Sequence, residues 1–218
     1  MIEPYFSTDL GKLYCGDCLS VMPELEPVDL VLTDPPYGLG KRLCGGTWGS
    51  KYGGGLKWDT VNEQFLNMVF SISANQIIWG GNYYRLPPSR CWLVWHKPDA
   101  VKTMANAELA WTSYDKNSKT IIHSIAATNK ERVNHPTQKP LMVIRWCLSQ
   151  DQNAANILDP FMGSGTTAIA CEQLGRRWIG IEISEKYCEI AKQRIIRERQ
   201  QLKLFKPEIK KPVQESMF

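Results

Sequence analysis

The alternation of short apolar runs with segments of helical period constrains this chain more than any other feature. The runs are "KLYCG" (12–16), "VDLVLT" (28–33), "QIIWG" (76–80), "CWLVWH" (91–96), "ELAWTS" (108–113), "NIL" (156–158) and "RWIGIEI" (177–183). Between them, residues 61–74 space Phe65, Val69 and Ile72 along one helix face, and residues 137–150 do the same with Leu141, Ile144 and Leu148 after Pro140. Residues 166–174 and 184–204 follow the same period. Strands alternating with helices predict a largely parallel sheet covered on both faces. A length of 218 residues suits one domain, or one with small insertions, that buries about 70% of its unfolded surface without disulfides.

No apolar stretch approaches the roughly 20 residues of a membrane span, and "MIEPYFSTDLGK" lacks a basic segment followed by an apolar core. The seven cysteines are odd in number and scattered, unlike a secreted disulfide framework, so reduced thiols and a cytoplasmic location are expected. Cys15 and Cys18 form a C-x-x-C, but no second close pair of Cys or His completes a zinc site, and no metal is expected. The net charge of +4 is uneven: eight Lys/Arg against three Glu lie from Lys192 onward. Such a run is either a surface for phosphates or a solvated face.

"ILDPFMGSGTTAIACEQLG" (157–175) reads as strand, acid, glycine turn and helix. Gly163 and Gly165 let the backbone approach a ligand, and the helix start with Thr166 and Thr167 favours an anionic group. The next strand ends in Glu182, where folds of this kind hold ribose hydroxyls. The third glycine of a dinucleotide fingerprint is absent and no G-K-[ST] follows, so a nucleoside carrying a carboxylate fits better, as in S-adenosylmethionine. Upstream, "VLTDPPYGLG" closes a strand with Asp34, Pro35, Pro36 and Tyr37. The prolines fix φ and remove two amide donors, leaving the Asp34 carboxylate and Pro35 carbonyl as acceptors beside the Tyr37 ring. Acceptors beside a ring suit a flat heterocycle with an exocyclic amino group.

These two motifs make the chain resemble the amino-methylating DNA methyltransferases, whose catalytic motif is [DNS]-P-P-[YFW] and whose cofactor motif is D-P-F-x-G-S-G-T-T. The motif order is that of the circularly permuted β group. Further matching pieces are "GDC" (16–18), "IIWGGNYY" (77–84), "WLVWHK" (92–97), "ELAWTS" and "NHPTQKP" (134–140). The resemblance implies a Rossmann-like α/β fold with a mostly parallel seven-stranded sheet, a catalytic domain over 1–205 and a basic tail over 206–218. It assigns the cofactor adenine to Asp17 and the Cys18 amide, and its ribose to Glu182. Asp159, Phe161, Gly163, Ser164, Gly165, Thr166 and Thr167 would surround the methionine part beside Asp34, with Thr137 and Lys139 on its carboxylate side.

The implied activity is methyl transfer from S-adenosylmethionine to N6 of an adenine flipped out of DNA. Asp34 would accept the amino hydrogens, and Tyr37, with Trp111 or Tyr84, would stack on the base. N4 of cytosine is the alternative target, and RNA or protein-glutamine methylation and an idle DNA-binding protein are rivals. Asp at position 34 favours adenine over cytosine, and the glutamine enzymes use Asn-Pro-Pro-Tyr. Target recognition is confined to about 38–60 and 114–134, and Lys41, Arg42 and Lys51 are candidate phosphate contacts. A homodimer is common in the β group, and "QLKLF" (Gln201 to Phe205) is similar to the peptide that docks bacterial proteins on the sliding clamp.

Overall fold

The computed structural model describes residues 2–38, 64–102, 104–131 and 138–205, with 130–131 and 202–205 described by backbone only. Lys41, Arg42, Lys51, Thr137, the tail 206–218 and the side chains of Leu202 to Phe205 lie outside the described residues, so the loop and clamp-peptide expectations have no structural counterpart.

The seven apolar runs fold as strands: β2 (Gly11–Cys15), β3 (Val28–Thr33), β4 (Ser73–Trp79), β5 (Trp92–His96), β6 (Ala107–Thr112), β8 (Asn156–Asp159) and β9 (Arg177–Glu182). Two more, β1 (Phe6–Ser7) and β7 (Lys119–Ile122), sit at the outer edges, so among the described residues the sheet has nine strands where seven were expected. A two-residue strand and the largely exposed "KTII" edge bury too little to show a pattern in sequence. β7 and helix Ile125–Glu131 occupy most of 114–134, so that segment extends the sheet edge.

The order is β1-β2-β9-β8-β3-β4-β6-β5-β7. The five central strands β2, β9, β8, β3 and β4 are mutually parallel, whereas β6 runs antiparallel to both β4 and β5. Alternate residues enter two cores: Leu13, Leu30, Leu32, Ile77 and Trp79 face one side, Tyr14, Val31, Ile78 and Ile181 the other. Helices α1 (Cys18–Val21) and α2 (Gln64–Ile72) cover the second side through Val21, Phe65 and Val69. With Ile125–Glu131 as α3, helices α4 (Leu141–Leu148), α5 (Thr166–Leu174) and α6 (Glu185–Phe205) cover the first through residues such as Ile144, Ala168 and Ala191. Among the described residues no helix is long and apolar enough to cross a membrane.

One buried carboxylate ties the segment after β1 and helix α6 to this frame. Glu172 on α5 accepts from Thr8 Oγ1 (2.7 Å) and Trp178 Nε1 (3.0 Å), while its other oxygen takes Arg199 Nη1 of α6 (2.7 Å). Removing it strands Arg199 with only the exposed Asp9 and leaves the buried Trp178 Nε1 and the half-buried Thr8 hydroxyl without this acceptor. Glu172→Ala should therefore lower the unfolding free energy by about 3 kcal/mol in urea titrations, and a loss below the error of the extrapolation would contradict this role.

Candidate active site

Strand direction gathers the acids predicted from sequence. β3 and β8 are neighbours whose chains continue to opposite sides, β3 to β4 and β8 to β9, which makes the gap between them a switch point. Asp17, Glu182, Asp159 and Asp34 stand at or just beyond the carboxyl ends of β2, β9, β8 and β3, with Gly80 just beyond β4.

The glycine turn is braced from behind. Asp159 is buried and accepts from Thr33 Oγ1 (3.0 Å), the Phe161 amide (3.1 Å) and Thr167 Oγ1 (2.6 Å). Its carboxylate, expected around the methionine part of a cofactor, is instead turned to protein donors and joins β3 to the turn. Burial pushes its pKa up to about 6. Thr166, Thr167 and Ser164 are likewise buried, and Arg194 of α6 donates to the Ser164 carbonyl (2.6 Å) and Ser164 Oγ (3.0 Å). Gly163 and Gly165 have φ of 54° and 84°, and a Cβ on Gly165 would come within 2.9 Å of Ala191. The left-handed backbone and the close approach of α6 both require glycine there.

Glu182 accepts from the Gly163 amide (2.9 Å) and the Ser184 amide (2.8 Å), and burial raises its pKa. Beside it Ile183 is exposed. Asp17 caps α1 by accepting from the Leu19 amide (2.9 Å), and Cys18 is buried behind it. Phe161 packs edge-on against Phe65.

Asp34 is held differently. Its Oδ2 accepts from Lys139 Nζ (2.5 Å) and its Oδ1 from the Tyr37 hydroxyl (2.5 Å), to which Lys139 also donates (3.1 Å). The Asp34 oxygens, expected to point at an incoming group, thus already have internal donors. Lys139, expected at a cofactor carboxylate, has its ammonium on Asp34 and on Glu108 Oε2 (3.0 Å), and the Trp79 ring lies 5.3 Å away. Lys97 pairs with the other Glu108 oxygen. Burial raises Asp34 above the usual carboxylate range although Lys139 opposes the shift. Glu108 would also rise on burial, but Lys139 and Lys97 reverse this and hold it at about 2. Burial works against the Lys139 charge, yet Asp34 and Glu108 outweigh it and keep its pKa above the ordinary lysine value.

Tyr37 stacks on Tyr83 (4.9 Å between centroids, 23° between planes). A Cβ on Gly80, whose φ is 66°, would meet the Tyr37 ring at 2.1 Å, which gives the first glycine of "IIWGGNYY" its reason. Tyr84 donates to the Pro36 carbonyl and meets Phe65 edge-on. Trp111, expected as a nucleic-acid contact, is instead buried at 3% exposure. It pairs in register with Ile78 and donates to the Pro87 carbonyl (2.7 Å), because alternation along β6 turns it into the core. The sequence offers Lys97 only as a cation that could meet phosphates, whereas the structure pairs it with Glu108; Glu108 and Arg194 have no motif of their own, and the charge that opens "ELAW", a run otherwise apolar, is the available signal for Glu108.

A sequence model of the DNA methylase family, of N6/N4 type, matches residues 91–193. The type II methyltransferase M.BamHI of Bacillus amyloliquefaciens is 29% identical over 251 residues, spanning 89% of this chain and 59% of that protein. M2.MboI of Moraxella bovis is 28% identical over 250 residues, spanning 88% of this chain and 91% of that protein. Among solved structures, the M1.HpyAVI–SAM complex superposes with a TM-score of 0.57 at 22% identity over 85% of this chain and 100% of that one. The PvuII cytosine-N4-specific DNA methyltransferase gives 0.57 at 15% identity over 92% and 95%.

The raised Asp159 gives a signed expectation. Its folded value of about 6 lies above the unfolded value, so the folded protein takes up a proton first as pH falls. Wild type should gain stability relative to Asp159→Asn between about pH 6 and pH 4, and lose it as pH rises through that window. Urea midpoints of both proteins across the window check this, and parallel curves would contradict it.

Proposed function

We propose that this chain is an amino-methylating DNA methyltransferase and transfers the methyl group of S-adenosylmethionine to N6 of an adenine flipped out of DNA. The observation that carries the reading is the adjacency, across the β8/β3 switch point, of a glycine turn closed by Glu182 and the Asp34-Pro35-Pro36-Tyr37 turn. One side suits a nucleoside with a carboxylate and the other a planar base with an amino group.

The cradle fits S-adenosylmethionine. Glu182 and Asp17 close neighbouring strand ends and suit the ribose and adenine, and the turn of Gly163 and Gly165 has no side chain to obstruct the methionine part. Bound there, the sulfonium supplies an electrophilic methyl. Asp159, Thr167 and Arg194 hold the turn rigid and leave recognition to backbone and strand-end groups.

The chain's remaining work is to make the amino nitrogen reactive. Its lone pair is delocalised into the ring, which makes it a poor nucleophile. Asp34 accepts an N–H and pulls the nitrogen toward a pyramidal geometry that exposes the lone pair. Tyr37, kept in place by Tyr83 and Gly80, offers a ring edge and hydroxyl beside the base. A base inside the duplex cannot present this group, so flipping is part of the reading. No cysteine is needed as a nucleophile, and Cys18, Cys147, Cys171 and Cys188 are buried thiols whose pKa burial raises.

Adenine is preferred over cytosine because the acid at position 34 is the family's usual adenine form; one solved relative of the same fold is cytosine-N4-specific, which keeps cytosine as the second reading. Incubation with labelled S-adenosylmethionine and duplex DNA, followed by digestion to nucleosides, should give N6-methyldeoxyadenosine. Label confined to RNA or protein would sink the DNA reading, and N4-methyldeoxycytidine would replace the base. Asp34→Ala should reduce transfer by at least about a hundredfold while cofactor binding in calorimetry persists. Gly163→Val should do the reverse and abolish cofactor binding.

A further inference from the structure

Four charges around the Asp34 turn alternate in sign. Lys97 pairs with one oxygen of Glu108, the other oxygen lies 3.0 Å from Lys139 Nζ, and Lys139 lies 2.5 Å from Asp34 Oδ2. They come from four separate segments: Lys97 follows β5, Glu108 is the second residue of β6, Lys139 precedes α4 and Asp34 follows β3. Neutralising Lys97 would take one Glu108 oxygen; the second faces Lys139 in addition.

This arrangement bears on an obstacle raised by the reading above, on which the inference rests. With Lys139 at 2.5 Å, the charge of Asp34 is largely spent on an ammonium, and its acceptor strength toward an amino group is reduced. Lys139 is only 7% exposed, so it cannot leave Asp34 for water, and a buried ammonium without a carboxylate is strongly disfavoured.

We propose that Glu108 is a positioning residue that offers Lys139 a second carboxylate, so that Lys139 withdraws from Asp34 onto Glu108 when the substrate amino group arrives. The cluster holds two ammoniums and two carboxylates before and after the shift, so the move brings no uncompensated charge into the interior. Because Nζ already touches both acids, a small rotation suffices. Lys97 stays on Glu108 and keeps that acid ionised; burial works the other way, and the two lysines outweigh it. Among the described residues, other groups facing the cluster are the Tyr37 hydroxyl on Asp34 and Lys139, the Tyr84 hydroxyl near Tyr37, the Cys147 thiol near Lys139, and Asp159 behind Asp34.

The test compares kcat–pH profiles, at saturating cofactor and duplex DNA, for wild type, Glu108→Gln, Glu108→Asp and Glu108→Gln/Lys139→Met. In Glu108→Gln, Lys139 commits to Asp34 alone. The plateau should fall by about tenfold or more and the acid limb should move to lower pH, with cofactor affinity within about twofold of wild type. Glu108→Asp keeps the charge and should recover much of the plateau. The double variant leaves Asp34 buried without a cation, so its acid limb should move above that of wild type, a reversal that general loosening of the site would not produce.

Carboxyl 13C spectra of the aspartates, with Asp34 assigned through Asp34→Asn, follow the same titration without turnover. The Asp34 midpoint should fall in Glu108→Gln and rise in the double variant. An unmoved midpoint, or loss of cofactor binding in proportion to activity, would overturn the inference. Midpoints that move as expected in a wild type that methylates no DNA would retain the coupling of Glu108 to Asp34 and discard the DNA reading.

Discussion

Strand β3 pairs on both edges with parallel neighbours, β4 on one side and β8 on the other, and everything at the site follows from that pairing. Parallel strands in register present their carboxyl ends together, and helices returning across the faces leave that edge open for ligands. Asp34 and Asp159 are thereby brought side by side although 125 residues separate them, and the Thr33 hydroxyl bonded to Asp159 ties the two turns directly. Glu182 and Asp17 take their positions from the same register continued through β9 and β2.

Gathering acids on one edge has an electrostatic cost, and the protein meets it differently at each. Asp159 is surrounded by three donors and still sits at about 6, a carboxylate on the verge of protonation near neutrality. Glu182 has two backbone amides and remains at the rim. Asp34 alone receives a full countercharge, and Lys139 in turn needs Glu108 to remain comfortable inside the fold. The acid read as the chemical one is therefore also the one whose charge the protein can adjust.

The glycine turn and the Asp34-Pro35-Pro36-Tyr37 turn were legible because each is a contiguous stretch whose chemistry follows from its own residues, and each closes an apolar run that could be recognised as a strand. Glu108, and its pairing with Lys97, were not legible for a topological reason. β6 runs antiparallel to β4, so the beginning of "ELAWTS", rather than its end, lies at the carboxyl edge of the parallel strands. Trp95 and Glu108 are register partners, which brings Lys97 and Glu108 together only after β5 and β6 have paired. Trp111 was ambiguous for the complementary reason: an aromatic ring in a strand looks the same in sequence whether alternation turns it outward or, as here, into the core.

Local order thus belonged to the chain: which segments are strands and helices, where glycine is obligatory, and which acids end strands, since all depend on neighbours within a few residues. Direction, adjacency and charge state belonged to the assembled sheet. Whether Asp34 stands free or carries an ammonium, whether Lys139 answers to a cofactor or to two carboxylates, and whether Asp159 touches a ligand or braces a turn depend on distant segments meeting inside a low-dielectric core. There burial strength and pairing, rather than residue type, decide what a charged group does.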